Sequence, residues 1–283
     1  IIRAVKVIRC EMLERQRLEA WAGAYPPVRT PKRVLVVMAG NIPLVGFFDL
    51  LCVLASGHAC RVKPSSKDTV LIGYVVDLLR TIDPAIPLRM AEQGERPDAV
   101  IATGSDNANR YFRMLFGGIP SLLRGSRQSV AVLSGRETAA ELSGLEEDIF
   151  SYSGLGCRNV SLLFLPRGYL PELRCTALNE KYRRNYLRER ALLRMRRMPF
   201  VDLDGAVLCE DRSFPAALSC IHYTFYDSLA DVEAWLAAHD DRLQCVVSQC
   251  VRHSRRVAFG RAQHPGLTDY ADDVDTMRFL GTI

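Results

Sequence analysis

The sequence of 283 residues lacks the short motifs that mark the commonest nucleotide-binding and hydrolytic enzymes. It contains no G-x-G-x-x-G dinucleotide fingerprint, no G-x-x-x-x-G-K-[ST] phosphate loop and no G-x-S-x-G nucleophile elbow. These absences exclude the standard versions of those sites, although a Ser–His–Asp triad can be assembled without a contiguous motif. Any nucleotide site must therefore use a different arrangement of backbone and side chains.

Cysteine is plentiful but irregular in its spacing, and the nine cysteines form no C-x-x-C motif. Irregular spacing in a chain of this size favours reduced thiols and a cytoplasmic location. Cys245, Cys250 and His253 could supply three metal ligands, but a strand over 243–251 would point the two cysteines to opposite faces. We therefore expect no metal site.

Long apolar runs are also absent from the chain. No run reaches the roughly 20 residues that a membrane-spanning helix needs, because charges or glycines interrupt each one. No signal-peptide pattern is visible, and the sequence begins at Ile1 without an initiator methionine. A hydrophobic content of 48% is ordinary for a globular protein, and the length predicts two domains.

Positive charge exceeds negative charge modestly, with a net charge of +5, which is compatible with phosphate-bearing ligands. Much of the excess lies in a basic segment, residues 181–197, which contains Arg183, Arg184, Arg188, Arg190, Arg194, Arg196 and Arg197. Its tyrosines and leucines recur with helical spacing, so we favour a solvated amphipathic helix over a nucleic-acid interface. A docking surface for an acidic protein or for the phosphates of coenzyme A ranks between the two, and we expect no nucleic-acid partner.

Short apolar strands alternate with amphipathic helices in the first half of the chain. The pattern predicts strands over 34–38, 59–63, 99–102 and 130–133, with helices over 46–56, 67–80 and 106–115. Such alternation is typical of a parallel sheet with right-handed crossovers. An initial helix over 1–22 ends before Pro26, and Ser66 is the candidate N-cap of the helix over 67–80.

The second half is predicted to continue in the same α/β manner. Besides the basic helix, we expect helices over 137–145 and 231–239, and strands over 160–165, 201–209 and 243–251. The predicted domains are a dinucleotide-binding domain over 1–134, a catalytic domain over 135–250, and a C-terminal segment over 251–283 with a role in oligomerisation.

Cys157 is the most informative residue of the chain. Two glycines in the three positions before it, Gly154 and Gly156, free the backbone, so that a substrate carbonyl could approach both the sulfur and nearby N–H groups. The other eight cysteines mostly lie in apolar runs, as buried cysteines do. The residues alone leave two interpretations equally open, a catalytic thiol and a small core side chain.

Four segments taken together resemble one family. They are Met38–Gly46 (MAGNIPLVG), Ala99–Ser105 (AVIATGS), Gly154–Ser161 (GLGCRNVS) and Leu267–Thr276 (LTDYADDVDT). In combination they resemble the LuxC-type acyl-CoA reductases, which feed aldehyde to bacterial luciferase in some organisms and belong to the aldehyde dehydrogenase superfamily. The resemblance runs from about residue 34 to the C-terminus.

The resemblance implies an α/β fold of aldehyde dehydrogenase type, with a parallel-sheet nucleotide-binding domain and an α/β catalytic domain. It also implies fatty acid metabolism, in which a fatty acyl thioester is reduced to an aldehyde by NADPH. Cys157 matches the family nucleophile, whose thiolate would displace coenzyme A to form an acyl-enzyme. Asn41 matches the superfamily asparagine that faces the developing oxyanion beside the backbone N–H of Cys157. Without the resemblance, a turn residue ahead of Pro43 would be the preferred interpretation of Asn41.

Two further stretches match cofactor contacts of the superfamily. The first, after the strand over 59–63, matches the segment that holds the adenosine ribose, and its expected contacts are Lys63, Ser65, Ser66 and Lys67. NAD-preferring members often carry a carboxylate where Ser66 stands, so a serine beside a lysine favours NADPH. The second matches the turn where a helix N-terminus meets the pyrophosphate, and comprises Thr103, Gly104 and Ser105. A capped helix start and an ordinary strand-to-helix turn are the structural alternatives.

The sequence also departs from the superfamily at two places. Aldehyde-oxidising relatives carry a Glu-Leu-Gly-Gly phrase whose glutamate activates water, and the matching stretch here, residues 122–126, has no carboxylate. Slow hydrolysis of the acyl-enzyme would suit a reductase. The phrase that touches the nicotinamide ribose is matched only faintly, by Phe214-Pro215, so no contact is assigned to it. His222 and His253 are candidate acids, but a structural role is favoured for both.

The resemblance implies an acyl-CoA or acyl-protein donor, an acyl-transferring partner protein and a homodimer or larger assembly. Two enzymatic alternatives stay open: a CoA-acylating aldehyde dehydrogenase that uses NAD, and a thiol acyltransferase that needs no nicotinamide. A third alternative is a non-catalytic nucleotide- or RNA-binding protein that uses the basic segment.

Overall fold

The computed structural model describes residues 1–176 and 179–283. The backbone packs into two compact units, which we call the first unit (residues 1–126 and 266–283) and the second unit (residues 127–265). The three domains drawn from the sequence stay a prediction, since these units are defined by backbone packing and not by independent folding.

The first unit is built on a five-stranded, fully parallel sheet. Its strands are β1 (Arg33–Val37), β2 (Ala59–Lys63), β3 (Leu88–Met90), β4 (Ala99–Thr103) and β5 (Ser121–Arg124), in the spatial order β3-β2-β1-β4-β5. Its helices are α1 (Ile2–Met12), α2 (Arg15–Gly23), α3 (Phe47–Ala55), α4 (Thr69–Ile82), α5 (Asp106–Phe116) and a C-terminal helix, Thr276–Gly281. The predicted α/β class is therefore confirmed for this unit.

The alternation of side chains along the strands explains how the helices cover the sheet. Val34 and Val36 point to one face, where α3 and α4 pack, while Leu35 points to the other, against Phe112 and Phe116 of α5. Because β1 and β4 are buried on both faces, they appear in the sequence as nearly continuous apolar runs, whereas β2 alternates buried side chains with exposed or half-buried ones.

Two local predictions in the first unit were wrong. The helix over 1–22 is divided into α1 and α2, because the Glu14 side chain accepts the backbone N–H groups of Gln16 and Arg17 and starts a new helix. Ser66 does not cap α4, which begins at Thr69 after Asp68. The Asp68 carboxylate instead accepts the N–H of Leu44 at 2.7 Å and ties the two loops together.

A buried ion pair joins three elements of the first unit. Nη1 of Arg124, at the end of β5, lies 2.5 and 2.6 Å from the two carboxylate oxygens of Asp49 on α3. Nη2 of Arg124 donates to the Thr276 hydroxyl, at the start of the C-terminal helix, at 2.7 Å. Arg124 is 4% exposed and Asp49 7% exposed, so the pair holds the C-terminal helix from within the core.

The second unit contains a seven-stranded sheet in the order β12-β11-β6-β7-β10-β9-β8. Its strands are β6 (Gln128–Val132), β7 (Val160–Pro166), β8 (Val201–Asp202), β9 (Val207–Glu210), β10 (Cys220–Tyr226), β11 (Leu243–Ser248) and β12 (Arg256–Val257). All pairings are parallel except that of β8 with β9. Its helices are α6 (Ala139–Phe150), α7 (Glu180–Met195) and α8 (Leu229–Ala238), and the C-terminal helix of the first unit is numbered α9.

The second unit corrects two predicted strands and adds one that was not predicted. The strand over 201–209 is a short antiparallel hairpin, since Asp204 and Gly205 adopt positive φ values and turn the chain. The central strand β10 was not predicted, because its sequence, CIHYTFY, mixes polar and aromatic residues without clear alternation. The strand over 243–251 ends at Ser248, whose hydroxyl accepts the N–H of Cys250 and bends the chain away.

The basic segment forms α7, which buries Tyr182, Tyr186 and Leu193. Most of its arginines are exposed, and Arg184 and Arg188 pair with glutamates of the same helix. The amphipathic helix predicted for this segment is confirmed. What the exposed face of this helix binds stays a prediction.

Two searches of the described residues gave negative results. Among residues 1–176 and 179–283, no helix is long and apolar enough to cross a bilayer. The same residues contain no cluster of three or more His, Cys, Asp or Glu side chains that could hold a metal ion.

We expect Asp49→Asn to destabilise the protein by about 3–5 kcal/mol, because the guanidinium of Arg124 would stay buried without its counter-charge. Urea-induced unfolding would measure the loss. Glu19→Gln is the matched control, since it breaks the exposed Arg15–Glu19 pair and should cause no measurable change. Equal stabilities of the two variants would contradict a structural role for the buried pair.

Candidate active site

Cys157 lies in a tight turn between α6 and β7 of the second unit, and its side chain is exposed. The chain leaves α6 through the short segment Ser151–Gly154, whose backbone is left-handed at Tyr152 and Ser153, and enters β7 at Val160. The core interpretation of this cysteine is therefore excluded, whereas Cys52, Cys60, Cys209 and Cys245 are buried as expected.

The backbone before the turn is unusual. Tyr152, Ser153 and Gly154 have φ values of 52°, 55° and 64° in succession, a left-handed run that residues with side chains seldom adopt. A Cβ at Gly154 would lie 3.3 Å from a ring carbon of the buried Tyr182. Gly154 therefore supplies both the conformation and the close approach that lead the chain into the Cys157 turn.

Asn159 closes this turn from within. Its Oδ1 accepts the N–H of Gly156 at 2.8 Å, and its own N–H donates to the Gly156 carbonyl at 3.1 Å. Its Nδ2 donates to the carbonyl oxygens of Asp148, Ile149 and Ser151 at 3.1, 3.1 and 2.9 Å. No role of Asn159 was predicted, because the helix end that its side chain reaches is brought to it only in the folded chain.

Ser129, on strand β6, supports the turn through hydrogen bonds. Its hydroxyl donates to the carbonyl of Cys157 at 2.9 Å and accepts the N–H of Cys245 at 3.2 Å. Because its single hydrogen is used on Cys157, the Cys245 thiol at 3.1 Å acts as the donor in the third contact. Ser129 is fully buried in β6 beside Gln128, and its contacts come from other elements, so no local sequence pattern reveals this support.

The two histidines and Phe214 have structural roles, as the sequence analysis favoured for the histidines. Nδ1 of His222 lies 2.7 Å from the carbonyl of Ser213, and Nε2 of His253 lies 3.1 Å from a carboxylate oxygen of Asp240. Phe214 packs against Trp235 with ring centroids 5.8 Å apart. None of these contacts indicates a role in catalysis.

Asn41 and the two stretches matched to cofactor contacts lie at one edge of the sheet in the first unit. Asn41 follows β1, the stretch 63–67 ends and follows β2, and the stretch 103–105 ends and follows β4. The carboxyl ends of parallel strands share an edge, and β1 and β4 are neighbours at the point where the strand order reverses. Nucleotides bind at this point in open parallel sheets.

Direct contacts bring two of these loops together. A Cβ on Gly40 would lie 2.5 Å from Cβ of Ser65 and 3.3 Å from Cβ of Lys67, so the loop bearing Asn41 lies against the loop after β2. The side chains of Asn41, Lys63, Ser66 and Lys67 are exposed at this edge. The arrangement can therefore present amide, hydroxyl and ammonium groups to a bound ligand.

The stretch after β4 starts a helix. Ser105 caps α5 by accepting the N–H of Ala108, and a Cβ on Gly104 would lie 2.8 Å from Cβ of Ala108. The helix has Asp106 in its first turn, and that carboxylate accepts the N–H of Ser126 at 3.0 Å. The stretch forms the strand-to-helix turn that was the structural alternative, with Ser105 as a helix cap that was not predicted. The nearby helix N-terminus can also attract an anion.

Residues 122–126 match the water-activating phrase of the aldehyde-oxidising relatives but contain apolar residues and Arg124. The guanidinium of Arg124 bonds to Asp49 and Thr276. Leu122 and Arg124 are buried. Residues 122–126 therefore offer no carboxylate to act as a general base.

Comparison with known proteins identifies the architecture. The aldehyde dehydrogenase of Mycobacterium tuberculosis complexed with NAD⁺ superposes with a TM-score of 0.57 at 17% identity, over 71% of this chain and 53% of its own. Substrate-bound AldH of Staphylococcus aureus gives 0.55 at 17% identity, over 90% and 67%. The NAD⁺ complex of the Bacillus cereus aldehyde dehydrogenase gives 0.57 at 13% identity, over 82% and 61%.

The fold is that of the aldehyde dehydrogenases. No family model matches the sequence, and no curated protein matches it either. The chain spans about half to two thirds of the length of these three structures, and at such identities the likeness establishes the fold alone.

The structure therefore groups the predicted residues in two sets. Cys157 belongs to the second unit, whereas Asn41, the stretch 63–67 and the stretch 103–105 belong to the first. Within the first unit the cofactor candidates share one sheet edge, as a parallel sheet requires. The roles assigned to Cys157, Asn41 and the cofactor residues stay predictions.

We expect native protein at pH 8 to be alkylated by iodoacetamide at Cys157 and Cys10 before Cys52, Cys60 and Cys245, since the first two are exposed. Burial raises the pKa of Cys60 to about 12 and that of Cys245 to about 11, so both stay protonated and unreactive at this pH. Peptide mass spectrometry over time would measure the order. Early labelling of Cys60 or Cys245 in folded protein would contradict it.

Proposed function

We propose that this chain carries a LuxC-type acyl-CoA reductase site that reduces a fatty acyl thioester to an aldehyde with NADPH. The observation that carries the proposal is the exposed Cys157, held in a glycine turn of a chain with the aldehyde dehydrogenase fold. The segment resemblances around Asn41 and Cys157 support the choice of reaction.

The proposed chemistry begins at the sulfur of Cys157. Its thiolate attacks the acyl carbonyl, the bond to coenzyme A breaks, and coenzyme A leaves with a proton. Asn41 is proposed to donate its side-chain amide to the oxyanion, a role whose removal typically costs about 10²–10³ in rate. NADPH, when bound, would supply a hydride to the acyl carbon. Cys157 is then released as the aldehyde forms, so that acyl-CoA, NADPH and a proton give aldehyde, coenzyme A and NADP⁺.

The exposed groups at the edge of the first sheet fit such a cofactor. Lys63 and Lys67 bring positive charge to the loop after β2, and Ser66 stands where a carboxylate would repel a 2′-phosphate. The close contact of Gly40 with Ser65 fixes this loop. Ser105 marks a helix N-terminus at the same edge, which favours the pyrophosphate.

The occupation of residues 122–126 supports reduction over hydrolysis. Hydrolysis of an acyl-enzyme needs a base that activates water. Residues 122–126 offer no carboxylate for this, and Arg124 in this stretch is buried and ion-paired. We therefore propose that the thioester survives until hydride transfer. The acyl donor, as coenzyme A or as an acyl-protein partner, the assembly into a homodimer or larger, and the cytoplasmic location belong to the same proposal.

We expect purified protein to oxidise NADPH when given fatty acyl-CoA, at a rate that depends on chain length. Cys157→Ala should reduce this rate by about 10⁴-fold or more, because no acyl-enzyme could form. Cys10→Ala, which removes the other exposed cysteine noted above, is the matched control and should retain the wild-type rate. Absorbance at the nicotinamide band and analysis of the product would follow the reaction.

The outcomes separate the candidate reactions. Free acid as the main product would contradict the proposal. Cys157-dependent uptake of a labelled acyl group without NADPH oxidation would favour a thiol acyltransferase. A faster reverse reaction with NAD, aldehyde and coenzyme A would favour a CoA-acylating dehydrogenase.

We expect Ser66→Asp to lower kcat/KM for NADPH by about 10–10²-fold while leaving that for NADH less affected, because the new carboxylate would repel the 2′-phosphate. Ser66→Ala is the control, since it removes the hydroxyl without adding charge. Steady-state rates with each cofactor would give the ratio. An unchanged preference in Ser66→Asp would show that the loop after β2 does not touch the ribose.

A further inference from the structure

The carbonyl groups at the end of α6 need hydrogen-bond donors, and a residue of the Cys157 turn supplies them. The last carbonyl groups of a helix have no partner within it, and the carbonyls of Asp148 and Ile149 belong to this group. They and the carbonyl of Ser151 accept from a single side-chain amide, that of Asn159. The residue that completes the helix end thus lies two positions after Cys157.

The side chain of Asn159 also forms a hydrogen bond with Gly156, at the start of the turn. Oδ1 of Asn159 accepts the N–H of Gly156, and the backbone N–H of Asn159 returns a bond to the Gly156 carbonyl. Gly156 and Asn159 are therefore joined twice, with Cys157 and Arg158 between them. Asn159 is 5% exposed, so water does not compete for these bonds.

The helix end is itself fixed within the second unit. The Asp148 carboxylate is fully buried and accepts the N–H groups of Gly260 and Ala262 at 2.7 and 2.9 Å. A Cβ on Gly144 would lie 2.8 Å from the nitrogen of Gly260, so the helix and this loop are in backbone contact. Asn159 therefore links the Cys157 turn to the end of α6, which is itself hydrogen-bonded to the loop that contains Gly260 and Ala262.

Ser129 completes the support from the strand below. Its hydroxyl fixes the carbonyl of Cys157, and both of its acceptor positions are used by Cys245. We propose that Asn159 and Ser129 form a clamp that positions Cys157, with Asn159 setting the shape of the turn and Ser129 the orientation of the Cys157 peptide plane. The proposal rests on the proposed function in taking Cys157 as the nucleophile.

The variant Asn159→Asp tests the clamp with little change of shape. It keeps an acceptor for Gly156 but replaces the amide donor by a carboxylate facing three carbonyl oxygens. We expect the backbone amides of residues 151–160 to exchange with deuterium about tenfold faster. The pH midpoint for iodoacetamide alkylation of Cys157 should move upward, because a nearby negative charge disfavours the thiolate. For acyl-CoA reduction kcat should fall by about 10²-fold, with KM for NADPH within about twofold.

Two further variants keep the test sharp. Ser129→Ala removes one bond to the turn and should produce a smaller rise in exchange over 151–160, even where Asn159→Asp fails to fold. Thr138→Ala removes the capping box at the opposite end of the same helix. It should increase exchange near residue 138 and leave the alkylation profile of Cys157 unchanged.

Exchange and alkylation need neither acyl-CoA nor NADPH, so the two proposals can fail separately. If both clamp variants fold and match the wild type in both measurements, the clamp proposal is wrong. The same conclusion follows if Thr138→Ala shifts the alkylation profile as much as Asn159→Asp does. If the clamp variants respond as expected but the wild type reduces no acyl-CoA, the clamp stands and the proposed reaction fails.

Discussion

The buried carbonyl groups at the end of α6, which lack partners within the helix, are the constraint on which the Cys157 site depends. Many helices end with a left-handed residue, usually glycine, that folds the chain back over those groups. Here the chain instead passes through Tyr152 and Ser153 in left-handed conformations and leaves the carbonyls to Asn159. Because the capping residue follows Cys157 in sequence, the chain must turn back, and the cysteine is placed at the outside of that turn.

A different constraint organises the first unit. In a parallel sheet every strand delivers its following loop to the same edge, so residues from distant parts of the sequence meet there without specific pairing. The buried Arg124–Asp49 pair lies at the end of β5. Together with the bond from Arg124 to Thr276, it stabilises the attachment of α9 and β5 to α3.

Strands β1 and β4 were predicted correctly because residues 34–37 and 99–103 form nearly continuous buried apolar runs. Strand β2 was also predicted, although its Arg61 and Lys63 are not buried and alternate with the buried Cys60 and Val62. Strand β10 was missed because its sequence mixes polar and aromatic residues and, of residues 220–226, Ile221 alone is buried, so its place in the sheet depends on pairing with β7 and β9. The exposure of Cys157 follows from its glycines, but the roles of Asn159 and Ser129 depend on contacts with α6 and β11 that no local pattern encodes.

The missing dinucleotide fingerprint has a physical counterpart in how glycine is used at the sheet edge. In the standard motif, glycines let the backbone approach a pyrophosphate and let a helix pack closely on a strand. Here a Cβ on Gly46 would meet Met38 Sδ at 2.6 Å, and one on Gly104 would meet Cβ of Ala108 at 2.8 Å. These glycines, with Gly40 against Ser65, serve close contacts between protein segments and not an open phosphate loop. Under the proposed function, the groups left to hold a cofactor at this edge are the exposed side chains of Lys63, Ser66 and Lys67 and the start of α5.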